Sequence, residues 1–193
     1  MYHGTFKEFT IEIINEEDYI VDSADNRFKY DLIYQHPEDE GYSPTSKHGI
    51  KVYKSGLYKN AIILATGGST DVNPNSAILD NGSLVICCCN KIFCLRLPDL
   101  ELNWITEADM ATCFGIYQYE DSYIIHGEVN ICRISRDGKI QWKRSARDIF
   151  VSIDNAGNTF KMNDEYIELI DWHGFRYKLF YDGSIIDDGM APR

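Results

Sequence analysis

The chain has 193 residues and a formal net charge of −11, from 30 acids against 19 bases. Hydrophobic residues at 44% and aromatics at 13% supply enough apolar surface for a packed core, which excludes an extended disordered chain. So acidic a chain repels phosphate backbones, which argues against direct nucleic-acid binding. The acids are uneven: residues 1–50 hold eleven acids and four bases, net −7, against nineteen and fifteen, net −4, in the rest. The opening MYHGTFKEFT lacks the basic stretch and apolar run of a secretory signal. The longest apolar runs, 61–65 and 84–89, are too short to cross a bilayer. A soluble cytoplasmic protein without membrane binding is expected. Cys87, Cys88, Cys89, Cys94, Cys113 and Cys132 form no C-x-x-C and no zinc spacing. Neighbours in a strand point to opposite faces, so these cysteines are expected as buried thiols behaving as small hydrophobes.

Residues 6–14 place Phe9, Ile11 and Ile13 on one face, a strand period. After the polar turn 15–18, residues 19–21 and 28–34 read as two further strands, so a three-stranded meander is expected up to residue 34. QHPEDEGYSPTSKH (35–48) is a loop with two prolines and three successive acids, of a length that is often functional. Residues 49–54 and 59–66 form a hairpin joined near Ser55-Gly56. TGGSTDVNPNS (66–76) is a second loop. Its glycine pair precedes no Gly-Lys-Ser/Thr and no helix, so it is not a phosphate-binding loop.

The stretch 80–104, DNGSLVICCCNKIFCLRLPDLELNW, reads turn, strand, turn, strand, turn, strand. Asn81-Gly82 is a strong turn signal, 84–88 has no polar face, 92–97 returns, and 102–105 carries Trp104. A second copy has strands at 123–126, 130–135 and 139–143, the last carrying Trp142. Cys94, Asp99, Leu102 and Trp104 match Cys132, Asp137, Ile140 and Trp142, each displaced by 38. A looser third copy runs from a turn at 154–157 through strands at 159–162, 166–170, 175–181 and 184–186. No helical period is sustained, and Gly, Asn and Asp turns recur every eight to twelve residues, so the fold class is all-β, built of consecutive antiparallel meanders.

A period near 38 with several short strands is the signature of propeller blades. The run Lys-Ile-Phe-Cys-Leu-x-x-Pro-Asp-Leu-x-Leu-x-Trp resembles a blade of the quinoprotein-type (PQQ-like) β-propeller repeat. In that family an inner hairpin ends in Ala-Leu-Asp, turns through Thr-Gly and leaves by a strand closing in Trp. The resemblance spans 80–144 and, more loosely, 154–186. Asp99-Leu100 replaces the Thr-Gly, and no cofactor or metal ligand of the family is matched, so the resemblance implies fold and not activity. The expectation is one all-β domain over 1–193: N-terminal strands and loops over 1–74, then three blade-like repeats over 75–187. The ring is either small and complete or an incomplete arc, with a two-sheet sandwich as the alternative.

Trp104 and Trp142 are expected in the core of neighbouring sheets and Trp172, in a turn beside His173-Gly174, on the surface. His126, Glu128, Asp109 and Cys113 could form a metal or acid–base cluster, and Cys113 with His126 a nucleophile pair. A lone turn histidine is more simply solvated, since a metal needs three or four convergent ligands. No catalytic or metal residue and no cofactor is therefore assigned. The leading expectation is a non-catalytic binding protein that meets a basic protein surface through loops of its acidic N-terminal third. Its specific form is an immunity protein neutralising a basic toxin, with Glu38, Asp39, Glu40 and Trp172 as partner-binding residues. The alternatives are a hydrolase or lyase with a site on one face, and a structural or oligomerising repeat.

Overall fold

The computed structural model of the chain describes residues 1–151 and 159–190; the turn expected at 154–157 lies outside them. The described residues form strands β1 (Tyr2–Phe6), β2 (Phe9–Asn15), β3 (Leu32–Gln35), β4 (Ser46–Tyr53), β5 (Leu57–Ala65), β6 (Ala77–Asp80), β7 (Ser83–Cys88), β8 (Lys91–Arg96), β9 (Glu101–Glu107), β10 (Cys113–Tyr119), β11 (Ser122–Gly127), β12 (Asn130–Ser135), β13 (Ile140–Ser145), β14 (Phe160–Met162), β15 (Tyr166–Ile170), β16 (Arg176–Phe180) and β17 (Ile185–Met190). The helical content among them is one 3-10 turn, Pro37–Asp39. No helix among the described residues is long and apolar enough to cross a membrane.

The strands make four sheets. The first has the order β1-β2-β4-β5-β3; the second (β6–β9), third (β10–β13) and fourth (β14–β17) are antiparallel four-stranded meanders. Three apolar clusters fill three gaps. The first joins Ile11, Ile13, Ile50 and Ile63 of the first sheet to Leu84, Ile86, Phe93 and Leu95 of the second. The next joins Val85, Cys87, Ile92 and Cys94 to Ile116, Tyr123, Ile125 and Cys132 of the third sheet. The last joins Ile124 and Ile131 to Ile167, Leu169, Tyr177 and Leu179 of the fourth. The four sheets are therefore stacked in a row, blade on blade, and among the described residues no cluster joins the first to the fourth. Two packed sheets, the alternative, would have a single interlayer core.

This stacking accounts for the strand at 84–88 without a polar face. The second sheet is covered on both sides, so successive residues of β7 serve different cores, and a sheet buried on both faces needs apolar residues throughout. Cys88 faces the first sheet and Cys87 the third. All six cysteines are buried and free.

The tryptophans are equivalent but not interior. Trp104 and Trp142 lie half-buried on the outermost strands of their sheets. The Trp104 indole donates to Arg136 O at 2.9 Å and lies over Gly138, where a Cβ would come within 2.6 Å of the ring. Trp142 donates to Tyr181 O at 2.9 Å and lies over Gly183 in the same way. Both glycines have positive φ, +83° and +84°, which glycine adopts without steric cost. In the first sheet Tyr34, on outer strand β3, donates to Leu100 O at 2.8 Å. The outer strands of the first three sheets thus each pin the outer turn of the next sheet with one ring and one hydrogen bond.

Three expectations are corrected. Residues 6–14 are not one strand, because Lys7 turns the chain at φ 53° and splits it into β1 and β2. The meander up to residue 34 does not form. Residues 19–21 are not a strand, and of 28–34 only the end enters β3, which pairs parallel with β5. The intervening residues instead cover the outer face of the first sheet, with Tyr19 and Tyr30 packed on Ile62 and Leu64. Finally, each of the first two blade repeats gains a strand, β6 and β10. These begin their sheets and lie side by side, β10 against β6 and β7. The exposed face of the fourth sheet carries Lys161, Glu168, Lys178 and Asp187 in cross-strand register. That alternation of sign stabilises neighbouring strands and keeps the face unattractive to another sheet.

Candidate functional site

The acidic end of the row is built from two loops of the first sheet. Residues 16–31 leave β2 through Asn15 and return under Tyr19 and Tyr30. Tyr19 N donates to Glu16 O at 3.0 Å and Ile20 N to the Asn26 side chain at 2.9 Å, which closes the loop on itself. Between these anchors lies a depression of about 350 Å³ lined by Glu16, Glu17, Asp18 and Asp25, with Arg27 as its single base. A second, of about 280 Å³, shares Asn15 and Glu17 and adds Pro44 and Thr45 from the loop before β4, Ser46 and Lys47 at the start of β4, and Asp71. Lys47 Nζ donates to Glu17 O at 2.7 Å and separates the two. Glu16 faces Lys51 at 4.0 Å. Among the described residues Glu17, Asp18, Asp22 and Asp25 are exposed and face no cation in an ion pair. The same loop exposes Ile20 at 63% and Val21 at 45%.

The expected triad of carboxylates is split. Residues 37–39 form the 3-10 turn, started by Pro37 and capped by the His36 ring, which accepts from Glu38 N at 3.2 Å. That turn sends Glu38 and Glu40 to solvent and Asp39 inward. Asp39 Oδ1 meets Lys91 Nζ at 3.0 Å and Oδ2 accepts from Thr66 N at 3.2 Å, and both charged side chains are at most 5% exposed. Burial pushes the Asp39 carboxyl up, but hydrogen bonds from Thr66 and Lys91 and the ammonium charge outweigh it and hold it below its ordinary value. Asp39 is therefore corrected from a partner-facing residue to one that ties the 35–48 loop to β8. Trp172 is 42% exposed, as expected, on the β15–β16 turn held by Asp171, which accepts from His173 N and Phe175 N. It lies on the fourth sheet, so the fold does not bring it to the acids of the first.

The His126 cluster is not assembled. Asp109 Oδ1 accepts from Ala111 N at 2.7 Å and Thr112 N at 3.1 Å, and Oδ2 from Val129 N at 3.1 Å and Asn130 N at 2.6 Å. The carboxylate is a clasp between two loops. Cys113 is in the core, its thiol pushed well up by burial. Among the described residues no three His, Cys, Asp or Glu side chains could hold a metal. Cys89 stands apart from the other thiols: the hydrogen bond from Cys88, ahead of those from Ser46 and Thr45, draws it down to about 6 although it is fully buried.

His126 itself is not solvated. It is 6% exposed on β11, beside an open cleft of about 510 Å³ whose described lining comes from β10, β11, β14 and the 73–75 loop. Its ring stacks on Phe160 at 4.7 Å and meets the Phe114 edge at 5.5 Å. No sequence signal gathers these residues, because they come from β10, β11 and β14.

No protein-family model and no curated protein sequence matches this chain. Among solved structures it is similar to the CNH domain of AfRom2, with 15% identity over 75% of this chain and 47% of that one and a TM-score of 0.48. It is similar to BamB from Moraxella catarrhalis at 13% identity over 72% and 42%, TM-score 0.49. It is also similar to the computationally designed Ika8 protein at 8% identity over 100% and 62%, TM-score 0.49. The chain spans about half the length of the first two and somewhat more of the third. Its own four stacked sheets define the class: an all-β protein of blade-like antiparallel repeats, preceded by an atypical first sheet with one parallel strand.

Proposed function

We propose that the chain is a non-catalytic binding protein that meets a basic protein surface through the acidic loops of its first sheet. The observation that carries this reading is the set of exposed carboxylates without cationic partners among the described residues around the 350 Å³ depression, beside Ile20 and Val21. Apolar side chains ringed by uncompensated charge supply both parts of a steered interface, burial at the centre and long-range attraction from the rim. In its specific form this is an immunity protein: an acidic protein of this size neutralises a basic toxin by charge complementarity.

The test is a measurement of association with a basic protein captured from the source cells at low salt. Neutralising Glu17, Asp18, Asp22 and Asp25, or raising the salt, slows association, since fields are screened within about 8 Å at physiological ionic strength. Glu38 and Glu40 form a second set to neutralise, with Asp39 left in place. An association rate unmoved by the substitutions and by salt removes the reading.

A further inference from the structure

Consecutive residues of a strand point to opposite faces, which keeps neighbouring cysteines apart. Cys88 and Cys89 break that rule. Cys88 ends β7, and Cys89 begins the turn into β8 with φ 52°, a left-handed value that a residue with a Cβ adopts at a steric cost. The reversal brings the second side chain back to the side of the first. Both belong to the apolar core between the first and second sheets, whereas Cys87 belongs to the next core. Both sulfurs also reach one register pair of the first sheet, Ser46 of β4 and Ala65 of β5. Cys88 Sγ donates to Ser46 O at 3.8 Å, and Cys89 Sγ lies 3.3 Å from Ala65 O. The Cys88 thiol meets the Cys89 sulfur directly.

Two thiols in contact can capture a thiophilic centre or oxidise to a disulfide. Both residues are 0% exposed. A captured centre would add atoms to a packed core, whereas a disulfide removes two hydrogens and adds nothing. The cover is thin on one side. Thr45 Oγ1 lies 3.3 Å from Cys89 Sγ and Thr45 is itself exposed, and Thr70 Oγ1 accepts from Cys89 N at 3.0 Å. A small oxidant therefore reaches this sulfur by local opening of one loop. Cys89 is also the thiol drawn down to about 6, so at neutral pH it is mostly thiolate, the form that attacks an oxidant. Burial pushes Cys87, Cys88, Cys94, Cys113 and Cys132 the other way. Neighbouring Cα atoms lie about 3.8 Å apart, below the usual span of roughly 4.4–6.8 Å for a disulfide. The closed bond is strained and easily reduced, which suits a reversible device and not a permanent staple.

We propose that Cys88 and Cys89 are a redox pair that a peroxide closes into a reversible vicinal disulfide between the first and second sheets. The Cys89 thiolate attacks one peroxide oxygen, the O–O bond breaks, and a sulfenic acid forms as hydroxide leaves and takes up a proton. The Cys88 sulfur then attacks the sulfenic sulfur and gives up its proton, the S–O bond breaks, and a second water leaves. Two thiols are oxidised by two electrons in all, and one hydrogen peroxide becomes two waters. The experiment raises hydrogen peroxide on the full native chain at pH 7, with far-UV circular dichroism read in parallel. The remaining thiols are blocked with iodoacetamide in denaturant, and the chain is digested and mapped by mass spectrometry. The expected first product is lighter by two hydrogens and has Cys88 and Cys89 unblocked and joined. Its other four cysteines are blocked, its β signature is intact, and dithiothreitol restores all six thiols. Cys88→Ala is expected to stop at the sulfenic acid on Cys89, read as a dimedone adduct, and Cys89→Ala to lose no thiol under the same exposure. If a variant does not fold, the map of the natural chain decides alone. A first disulfide between any other pair, a Cys89 acid that never closes, a folded Cys88→Ala chain without the adduct, or no thiol lost before the β signature collapses overturns the proposal.

Discussion

Replacing Asp39 by Asn separates surface acid from structural acid within three consecutive residues. In the native chain Lys91 Nζ has two side-chain acceptors, Asp39 Oδ1 and Asn90 Oδ1, each at 3.0 Å. Lys91 is 2% exposed, so its ammonium cannot turn to water. Asp39→Asn leaves that charge buried opposite a neutral amide, and breaking a buried pair from one side costs about 3–5 kcal/mol. With a slope of about 2 kcal/mol per molar urea, the midpoint falls by roughly 2 M. Glu38→Gln and Glu40→Gln, both at the surface, stay within about 0.5 kcal/mol of the native chain. Removing both charges, as in Asp39→Leu with Lys91→Met, recovers much of the loss, because a buried pair is replaceable by apolar groups of similar volume. The pH dependence has a definite sign. The folded-state pKa of Asp39 lies below its ordinary value of 3.8. Its contribution is therefore present above that unfolded value and lost as the pH falls through the folded one. Equilibrium urea unfolding followed by tryptophan fluorescence reads all four variants. A loss below about 1 kcal/mol for Asp39→Asn would show that the pair is solvated and that Asp39 belongs to the surface after all.

Three further outcomes follow from the packing. Trp104→Ala and Trp142→Ala each cost about 2–4 kcal/mol in the same assay, through one lost hydrogen bond and a half-buried ring; Gly138→Ala, which forces a Cβ against Trp104 at positive φ, costs about 2 kcal/mol. Stability falls between pH 6.5 and about 4, because His126 is held neutral in the fold and protonates once unfolded; that one ring accounts for about 3 kcal/mol, and His126→Phe makes the profile shallower while leaving the part due to His48, whose buried ring is likewise drawn down. Thiol titration with an aromatic disulfide finds six reactive cysteines in denaturant and none rapidly in the native chain; Cys89 is expected to react first, at a rate set by local opening.

Much of the architecture is written locally, and locality is the reason it could be read. Short apolar-rich runs at 84–88 and 130–135, bounded by turn dipeptides such as Asn81-Gly82 and Asp137-Gly138, specify strands and reversals from neighbours alone; φ at Asn81, Gly82 and Gly138 is 47°, 78° and 83°. The displacement of 38 between Trp104 and Trp142 likewise marks equivalent positions on successive sheets. What those residues touch is decided elsewhere. Glu38, Asp39 and Glu40 are indistinguishable as acids, and Asp39 turns inward because Lys91, 52 positions away, waits there with its charge buried. The strand β3 pairs parallel with β5 because tyrosines 19 and 30 are drawn over Ile62 and Leu64, a contact no local pattern encodes. His126 reads as a turn histidine from its neighbours. Only the tertiary fold surrounds it with Phe114 of its own sheet, Phe150, and Phe160 of the fourth, and so removes it from water and leaves Nε2 without a hydrogen-bond partner among the described residues.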